Sequence, residues 1–367
     1  MDDRSQNMLR ELAEWQPRHG VISVYLHVDP ADRGNGWRIE LDQGLKRIVD
    51  EGLLDAPGSE LVAATDRVRA RFPGDAPHRT GRTQVGFVEV GGEGRAMWNG
   101  FQASLGSSLL VHDATARLTE LVRLLERGAP IGVVLLAAEH ARALEWAQGR
   151  LEGLGDWELE VTSYDWRERK SPSRNPAASG TGTTSSGRDQ HEQRLASSRA
   201  RFLKELGGIL ESRFGERRWR RLVVFGEGDL PAHLKAGMAD SASRLHEVNR
   251  DLIRTGAAEL QEQVENEVAA INRERERELL ERIEEAIGTG AGAATGPDDV
   301  LGALQQGRAS HLIFDPGREF DIGDRRTGTE ALISLGLATG AAITPVEEDD
   351  SATRLAQRDG AVALLRY

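Results

Sequence analysis

The chain has no cysteine among its 367 residues. This excludes a disulfide framework, thiol catalysis and cysteine-ligated zinc or iron–sulfur sites, and it fits a reducing compartment. No run approaches the ~18 apolar residues of a membrane span. The longest apolar stretch, Ile131 to Ala138, has the length of a buried strand. The opening segment MDDRSQNMLRELAEWQPRHG is charged, carries Pro17 and lacks an apolar h-region, so no signal peptide is expected. Together these absences predict a soluble, cytoplasmic protein. Positive charge is also scarce overall. The 47 Lys and Arg stand against 59 Asp and Glu, and a net charge of -12 argues against broad nucleic-acid binding. The nine His residues form no HExxH spacing, and Ser185 and Ser186 stand in no GxSxG elbow. Neither a metal site nor a serine hydrolase is therefore expected, and no cofactor is called for.

What is present is a globular composition, 39% hydrophobic and 29% charged, in a chain long enough for two or three domains. The first domain is read over residues 1–106 as α/β. VISVYLHV (21–28) is a strand, and WRIELDQGLKRIVDEGL is a helix with Ile39, Leu45, Ile48 and Leu53 on its apolar stripe. ELVAATDRVRARF is a second helix, and TQVGFVEVG with RAMWNGF forms a hairpin about Gly91-Gly92. The second domain is read over 107–285. It has a helix in ATARLTELVRLLERG, two or three strands from Ile131 to Glu160, a further helix in DQHEQRLASSRARFLKELGGILESRF, and a buried strand in WRRLVVFGEG. Residues 240–287 read as helical, with Leu260, Val264, Val268, Ile271, Leu279, Leu280, Ile283 and Ile287 at helical spacing. Such a stripe fits a surface helix, being too short for a sustained coiled coil. GTGAGAATG (288–296) is read as a linker. It follows a helix and lacks the lysine of a phosphate-binding loop. The third domain, 286–367 including that linker, alternates helix and strand.

Within the second domain, SPSRNPAASGTGTTSSG (171–187) holds nothing apolar larger than alanine and is read as an exposed, mobile loop. It leads into Gly187-Arg188-Asp189-Gln190 and then a helix. Positive charge gathers here. Between residues 164 and 201 eight Lys and Arg face four Asp and Glu, +4 locally within a chain at -12. Such a patch suits RNA phosphates. RFGERRWRR (213–221) adds a second cluster, in which Trp219 is either a base-stacking platform or a core residue.

The third domain carries a resemblance. DDVLGALQQGRASHLIFD resembles the opening of the C-terminal domain of the archaeal and eukaryotic class-1 peptide release factors and of Pelota-type rescue factors, and DDSATRLAQRDGAVALLRY resembles its closing segment. VISVYLHVDP is similar to the start of a bacterial (actinobacterial) release-factor-like branch. The resemblance implies an α/β (α+β) protein of three domains, with an RNase H-like middle domain and a C-terminal α/β/α domain like kink-turn-binding proteins. It also implies that a GxxQ motif, in the position of the superfamily's GGQ, sits on the 171–190 loop. Gly187 would then set the backbone and Gln190 would place water, an uncharged amide that both donates and accepts. Arg174, Arg188, His191, Arg194, Arg199, Arg201, Arg217, Arg218 and Arg220 are the expected RNA contacts. Asp189 and Glu192 suit helix capping better than acid–base work.

The implied activity is hydrolysis of peptidyl-tRNA on stalled large ribosomal subunits. It would be codon-independent, because no TASNIKS-like or YxCxxxF-like motif stands in the first domain. The implied partners are the large subunit, its 23S-type rRNA and peptidyl-tRNA, with a translational GTPase as a further candidate, and neither DNA nor membrane. The alternative is a non-hydrolytic factor that occupies the ribosomal A site in hibernation. An RNA nuclease is disfavoured for want of an acidic metal cluster.

Overall fold

The computed structural model describes residues 3–28, 36–52, 55–72, 81–160, 165–168, 185–290, 292–320 and 328–366, with backbone alone for 3–4, 160, 165–168 and 185–191. The chain divides into two compact units. One is discontinuous, Met1–Gly128 with Asn272–Tyr367, and the other is Ala129–Ile271.

The discontinuous unit begins with α1 (Asp3–Ala13), β1 (Val21–His27), α2 (Gly36–Glu51), α3 (Gly58–Arg71), β2 (Thr83–Glu89), β3 (Ala96–Phe101), β4 (Leu109–Asp113) and α4 (Thr119–Arg127). The strands form an antiparallel sheet ordered β3-β2-β1-β4. Both faces of β1 are covered, so VISVYLH is apolar with little alternation. Ile22, Val24 and Leu26 meet α2 and α3. Val21 and Tyr25 face a core with Leu9, Leu12, Leu121 and Leu125 of α1 and α4. The expected β2–β3 hairpin is present, and Gly91 and Gly92 turn it at φ 76° and 58°, where a side chain would strain the backbone. Ile39 is not on the buried stripe of α2. It is 58% exposed, and Trp37 and Leu41 are buried in its place. Leu53 lies outside the described residues.

The second unit contains β5 (Ile131–Ala137), β6 (His140–Ala147), β7 (Arg150–Glu160), β8 (Asp165–Glu168), α5 (Ser185–Glu216), β9 (Leu222–Phe225), α6 (Leu230–Lys235) and β10 (Leu245–Val248). Its sheet order is β10-β9-β5-β6-β7-β8. β5, β6 and β7 form an antiparallel meander, and β9 and β10 extend β5 in parallel. This is the RNase H-like strand order with one added edge strand, β8. One face packs on α5 and α6 through Phe202, Leu206, Leu210, Phe214 and Leu234. The other packs on the first half of α7 (Ala257–Gly288) through Leu260, Val264, Val268 and Ile271. The helical reading of 240–287 is corrected at its start. LHEV is a strand, because its backbone pairs with β9 in a register that local periodicity does not encode.

The return segment completes the first unit with β11 (Ala293–Thr295), α8 (Pro297–Gln305), β12 (Ala309–Phe314), α9 (Gly328–Thr339), β13 (Ala342–Pro345), α10 (Asp349–Ala356) and β14 (Ala361–Leu365), its sheet ordered β11-β14-β12-β13. The linker expected at 288–296 contains β11, which pairs antiparallel with β14. Leu304, Leu312, Phe314 and Ile333 join the core that Tyr25, Phe87 and Leu121 line. Ile313 and Val362 meet Leu279, Leu280 and Ile283 of α7 on the opposite face. The result is the α/β/α layering expected of this region.

Candidate functional site

α5 spans 32 residues, ~48 Å at 1.5 Å per residue. Its second half is held against the sheet, with Phe202, Leu203, Leu206, Leu210 and Phe214 all buried. Between 192 and 201 no residue is buried, and Glu192, Gln193, Arg194, Ala196, Ser197 and Arg201 are exposed. The helix runs antiparallel to β5. The Arg199 Nε donates to the Ala138 carbonyl, at the exit of β5, over 2.5 Å. Farther along, Arg213 donates to the Leu154 carbonyl over 3.3 Å. At the far end Arg217 pairs with Glu145 at 3.0 Å. Residues 185–198 therefore run past the carboxyl end of β5 as an arm of roughly 21 Å.

The expected motif lies on this arm. The backbone of Gly187, Arg188, Gln190 and His191 is helical. The motif thus belongs to the first turns of α5 rather than to a loop ahead of it. Positions 187 and 190 share one helix face, being three residues apart. The physical reason is local. Ser185 and Ser186 are good helix-start residues, Arg188, Gln190, Glu192 and Gln193 are good helix formers, and extending an existing helix needs no new nucleus. Side chains from 185 to 191 are not described, and Arg174 with the rest of 169–184 lies outside the described residues.

The two basic clusters do not form one patch. A continuous helix puts position 217 ~45 Å from position 187. Arg194 and Arg201 are exposed near the arm, where the expected RNA contacts belong. Arg217 is bonded to Glu145, and Arg218 adopts φ 53° just past the helix end. Arg220 is half-buried, with its backbone N–H on the Pro130 carbonyl. Trp219 is a core residue and not a stacking platform. It is 2% exposed, its Nε1–H donates to Glu145 at 2.7 Å, and it meets Phe214 edge-on at 6.2 Å. Gly132 makes room for it, since a Cβ there would stand 2.5 Å from the Trp219 ring.

The most perturbed ionisable groups lie in the discontinuous unit, and sequence reading missed them. Glu330, 2% exposed at the start of α9, accepts from the backbone N–H of Leu118 at 2.6 Å and from the Thr119 hydroxyl at 2.7 Å, capping α4 from 211 residues away. Burial pushes its carboxyl up to about 7, opposed by the bonds from Thr119 and Leu118 and by the Arg117 guanidinium. Burial likewise raises the Tyr25 hydroxyl, which donates to the Arg117 carbonyl. His311 shares the Thr344 hydroxyl with Arg275. Burial, reinforced by the Arg275 charge, brings His311 down to about 4. One-dimensional patterns carry no signal for such long-range capping. Among the described residues no group of three or more His, Asp or Glu is arranged to hold a metal ion, and no helix is long and apolar enough to cross a membrane.

Residues 130–266 match the model of bacterial archaeo-eukaryotic release factor family 5, a span that nearly coincides with the Ala129–Ile271 unit. The uncharacterised protein YocB of Bacillus subtilis (strain 168) is 21% identical over 229 residues, covering 59% of this chain and 81% of YocB. Among solved structures, Pelota of Archaeoglobus fulgidus is similar at 15% identity and TM-score 0.36, over 99% of this chain and 92% of that one. Dom34 of S. cerevisiae is similar at 10% identity and TM-score 0.44, over 78% and 80%. Residues 130–266 of the chain thus carry a domain similar to bacterial archaeo-eukaryotic release factor family 5.

Proposed function

We propose that this release-factor-like protein acts on the large ribosomal subunit, where the α5 arm enters the RNA cavity that holds peptidyl-tRNA and promotes hydrolysis of its ester. The observation that carries this reading is the arm itself, a helix root packed on a three-layer domain with its first ~14 residues running past the sheet and the Gly187/Gln190 motif at its start. Water attacks the ester carbonyl carbon, the carbon–ribose oxygen bond breaks, the ribose oxygen takes up the proton, and the peptide leaves with a carboxyl group. Gln190 accepts from that water without bringing charge into the cavity, and a neighbouring backbone N–H stabilises the oxyanion. Arg194 and Arg201 meet rRNA phosphate beside the arm. The absence of a codon-reading motif in the first 106 residues supports release without decoding.

The helical state of positions 187–190 favours a second reading, A-site occupancy without hydrolysis, because a helix is ~10–12 Å wide and enters a narrow cavity less easily than an extended loop. Purified protein is expected to free peptide from isolated large subunits carrying peptidyl-tRNA, and Gln190→Ala to abolish release while co-sedimentation persists. Equal release by the variant would remove Gln190 from the chemistry. Binding without release by either protein would establish occupancy instead.

A further inference from the structure

Asn99 and Gly100 lie in β3, an edge strand of its sheet among the described residues, and both are half-buried. At the turn end of the hairpin the Glu89 N–H donates to the Arg95 carbonyl at 2.9 Å. Bonded and non-bonded pairs alternate along an antiparallel ladder. Phe87–Met97, Val85–Asn99 and Thr83–Phe101 are therefore the bonded pairs, and Gly100, opposite Gln84, points its N–H to the free edge. There it donates to Asn99 Oδ1 at 3.0 Å. Asn99 Nδ2 donates to a weak acceptor, the Met8 sulfur, at 3.6 Å. An amide nitrogen with no side chain beside it thus lies against a primary carboxamide, outside the ladder. Among the described residues no other Asn precedes Gly, and Asn35, which does, lies outside them.

We propose that Asn99-Gly100 is a self-modifying site, at which Asn99 loses its amide through a cyclic imide and the docking of α1 is weakened. Hydroxide takes the Gly100 amide proton. The nitrogen attacks Asn99 Cγ, a C–N bond forms, and the carboxamide nitrogen takes up a proton from water and leaves as ammonia. Water then adds to one carbonyl of the imide and breaks its C–N bond. Opening at the backbone carbonyl gives isoaspartate, with an extra methylene in the chain, and opening at the side-chain carbonyl gives aspartate. Either product sets a carboxylate against the Met8 sulfur, where Asn99 had a donor, at the rim of the core that holds Leu9 and Leu12 of α1. The site is independent of the function proposed above.

Attack requires Asn99 to turn out of its extended conformation, so local opening of β3 limits the rate. Opening only through global unfolding would slow the reaction more than ~1,000-fold relative to unfolded chain. An edge strand paired on one side opens more readily than that. The full-length protein, held in mildly alkaline buffer with and without urea, tests this by peptide mapping with mass spectrometry and isoaspartyl methylation. Position 99 is expected to convert in the native protein at no less than about one hundredth of its rate in urea. Asn249, Asn266 and Asn272, each followed by a charged side chain, stay amides. Native conversion below that bound overturns the proposal, as does equal conversion at those three positions.

Gly100 does not use the left-handed region, so its backbone admits alanine. In Gly100→Ala a Cβ crowds the attacking nitrogen, and conversion is expected to be at least ~10-fold slower. An unchanged rate means that water attacks the carboxamide directly and sinks the cyclic route. Should this variant fail to fold, the comparison with wild type is made in urea, where the fold has no part. Asn99→Asp reproduces the aspartate product. Hydrogen exchange at the amides of Leu9 to Ala13 is expected to be at least ~3-fold faster in it, with 202–214 unchanged. Exchange equal to wild type in α1 refutes the weakened docking.

Discussion

Glu330, buried, and His311, half-buried, lie in one unit and respond oppositely to protons. The Glu330 pKa is raised from 4.5 to about 7, so the folded state holds a proton that the unfolded chain has released. Its contribution is complete below about pH 4.5 and is lost as pH rises through 7. Leu118, Thr119 and Arg117 temper the penalty on the anion, and Glu120 adds to it. The His311 pKa is lowered from 6.5 to about 4. Its contribution is complete above about pH 6.5 and is lost as pH falls through 4. Each shift corresponds to roughly 3 kcal/mol at its limit. Urea titrations from pH 4 to 8 are expected to show stability falling at both ends of the range. Glu330→Gln flattens the alkaline limb, and His311→Asn flattens the acid one. A wild-type alkaline limb in the Gln variant would show that another group controls it. The Gln variant also leaves one backbone N–H facing an amide, so the slope with pH, and not absolute stability, is the informative readout.

Elements pack here as closely as their smallest residues allow. Gly207 of α5 and Gly237 just beyond α6 face one another. A Cβ at 237 would lie 1.8 Å from the Lys204 carbonyl oxygen, and one at 207 would lie 2.3 Å from that of Leu234. Both obstacles are backbone, so neither can rotate away. Gly237→Ala is expected to destabilise by about 3 kcal/mol or more, read as a lowered denaturation midpoint, and a midpoint equal to wild type would mean that α6 shifts freely. Elements with a strong local period were legible in the sequence. β1, β5 and β9 stand out because both of their faces are buried and their residues are almost continuously apolar, and β12 by its closing Leu-Ile-Phe. β10 and β11 did not stand out. LHEV carries two polar residues at a sheet edge, AAT has almost no side chain to pattern, and each is a strand only through its partner. Ile39 had the right spacing and the wrong face, since spacing does not reveal which stripe meets the sheet. The candidate site divides the same way. Its position ahead of a long helix was readable, but a charge count cannot tell Arg199 and Arg217, which have protein partners, from an exposed Arg194.

At the scale of the whole molecule the main fact is that one unit is made from two distant segments. Leu9, Tyr25, Phe87 and Leu121 from the first share a core with Leu304, Leu312, Phe314 and Ile333 from the second. Burying one such side chain contributes ~1.5–3 kcal/mol, while a domain's net stability is ~5–15 kcal/mol. Each segment is therefore expected to need the other's contribution to remain folded. Residues 1–128 and residues 272–367, produced separately, are each expected to bind a hydrophobic dye and to unfold without a cooperative transition. Mixing them should restore both burial and cooperativity. A cooperative transition in the 1–128 fragment alone would show that its own sheet suffices. Local composition drew boundaries where glycines cluster, whereas the unit is defined by which apolar faces meet, information that exists only in three dimensions.

This arrangement also sets a schedule for synthesis. A polypeptide made at roughly 5–20 residues per second leaves its opening portion waiting on the order of ten to fifty seconds for the portion that completes it. The intervening unit can close during that delay. The first-made sheet meanwhile has α1 and α4 against the side of Tyr25 and Phe87 but still lacks Leu304, Leu312, Phe314 and Ile333, so a newborn copy of this protein carries an unfinished apolar surface while its own ribosome is still at work.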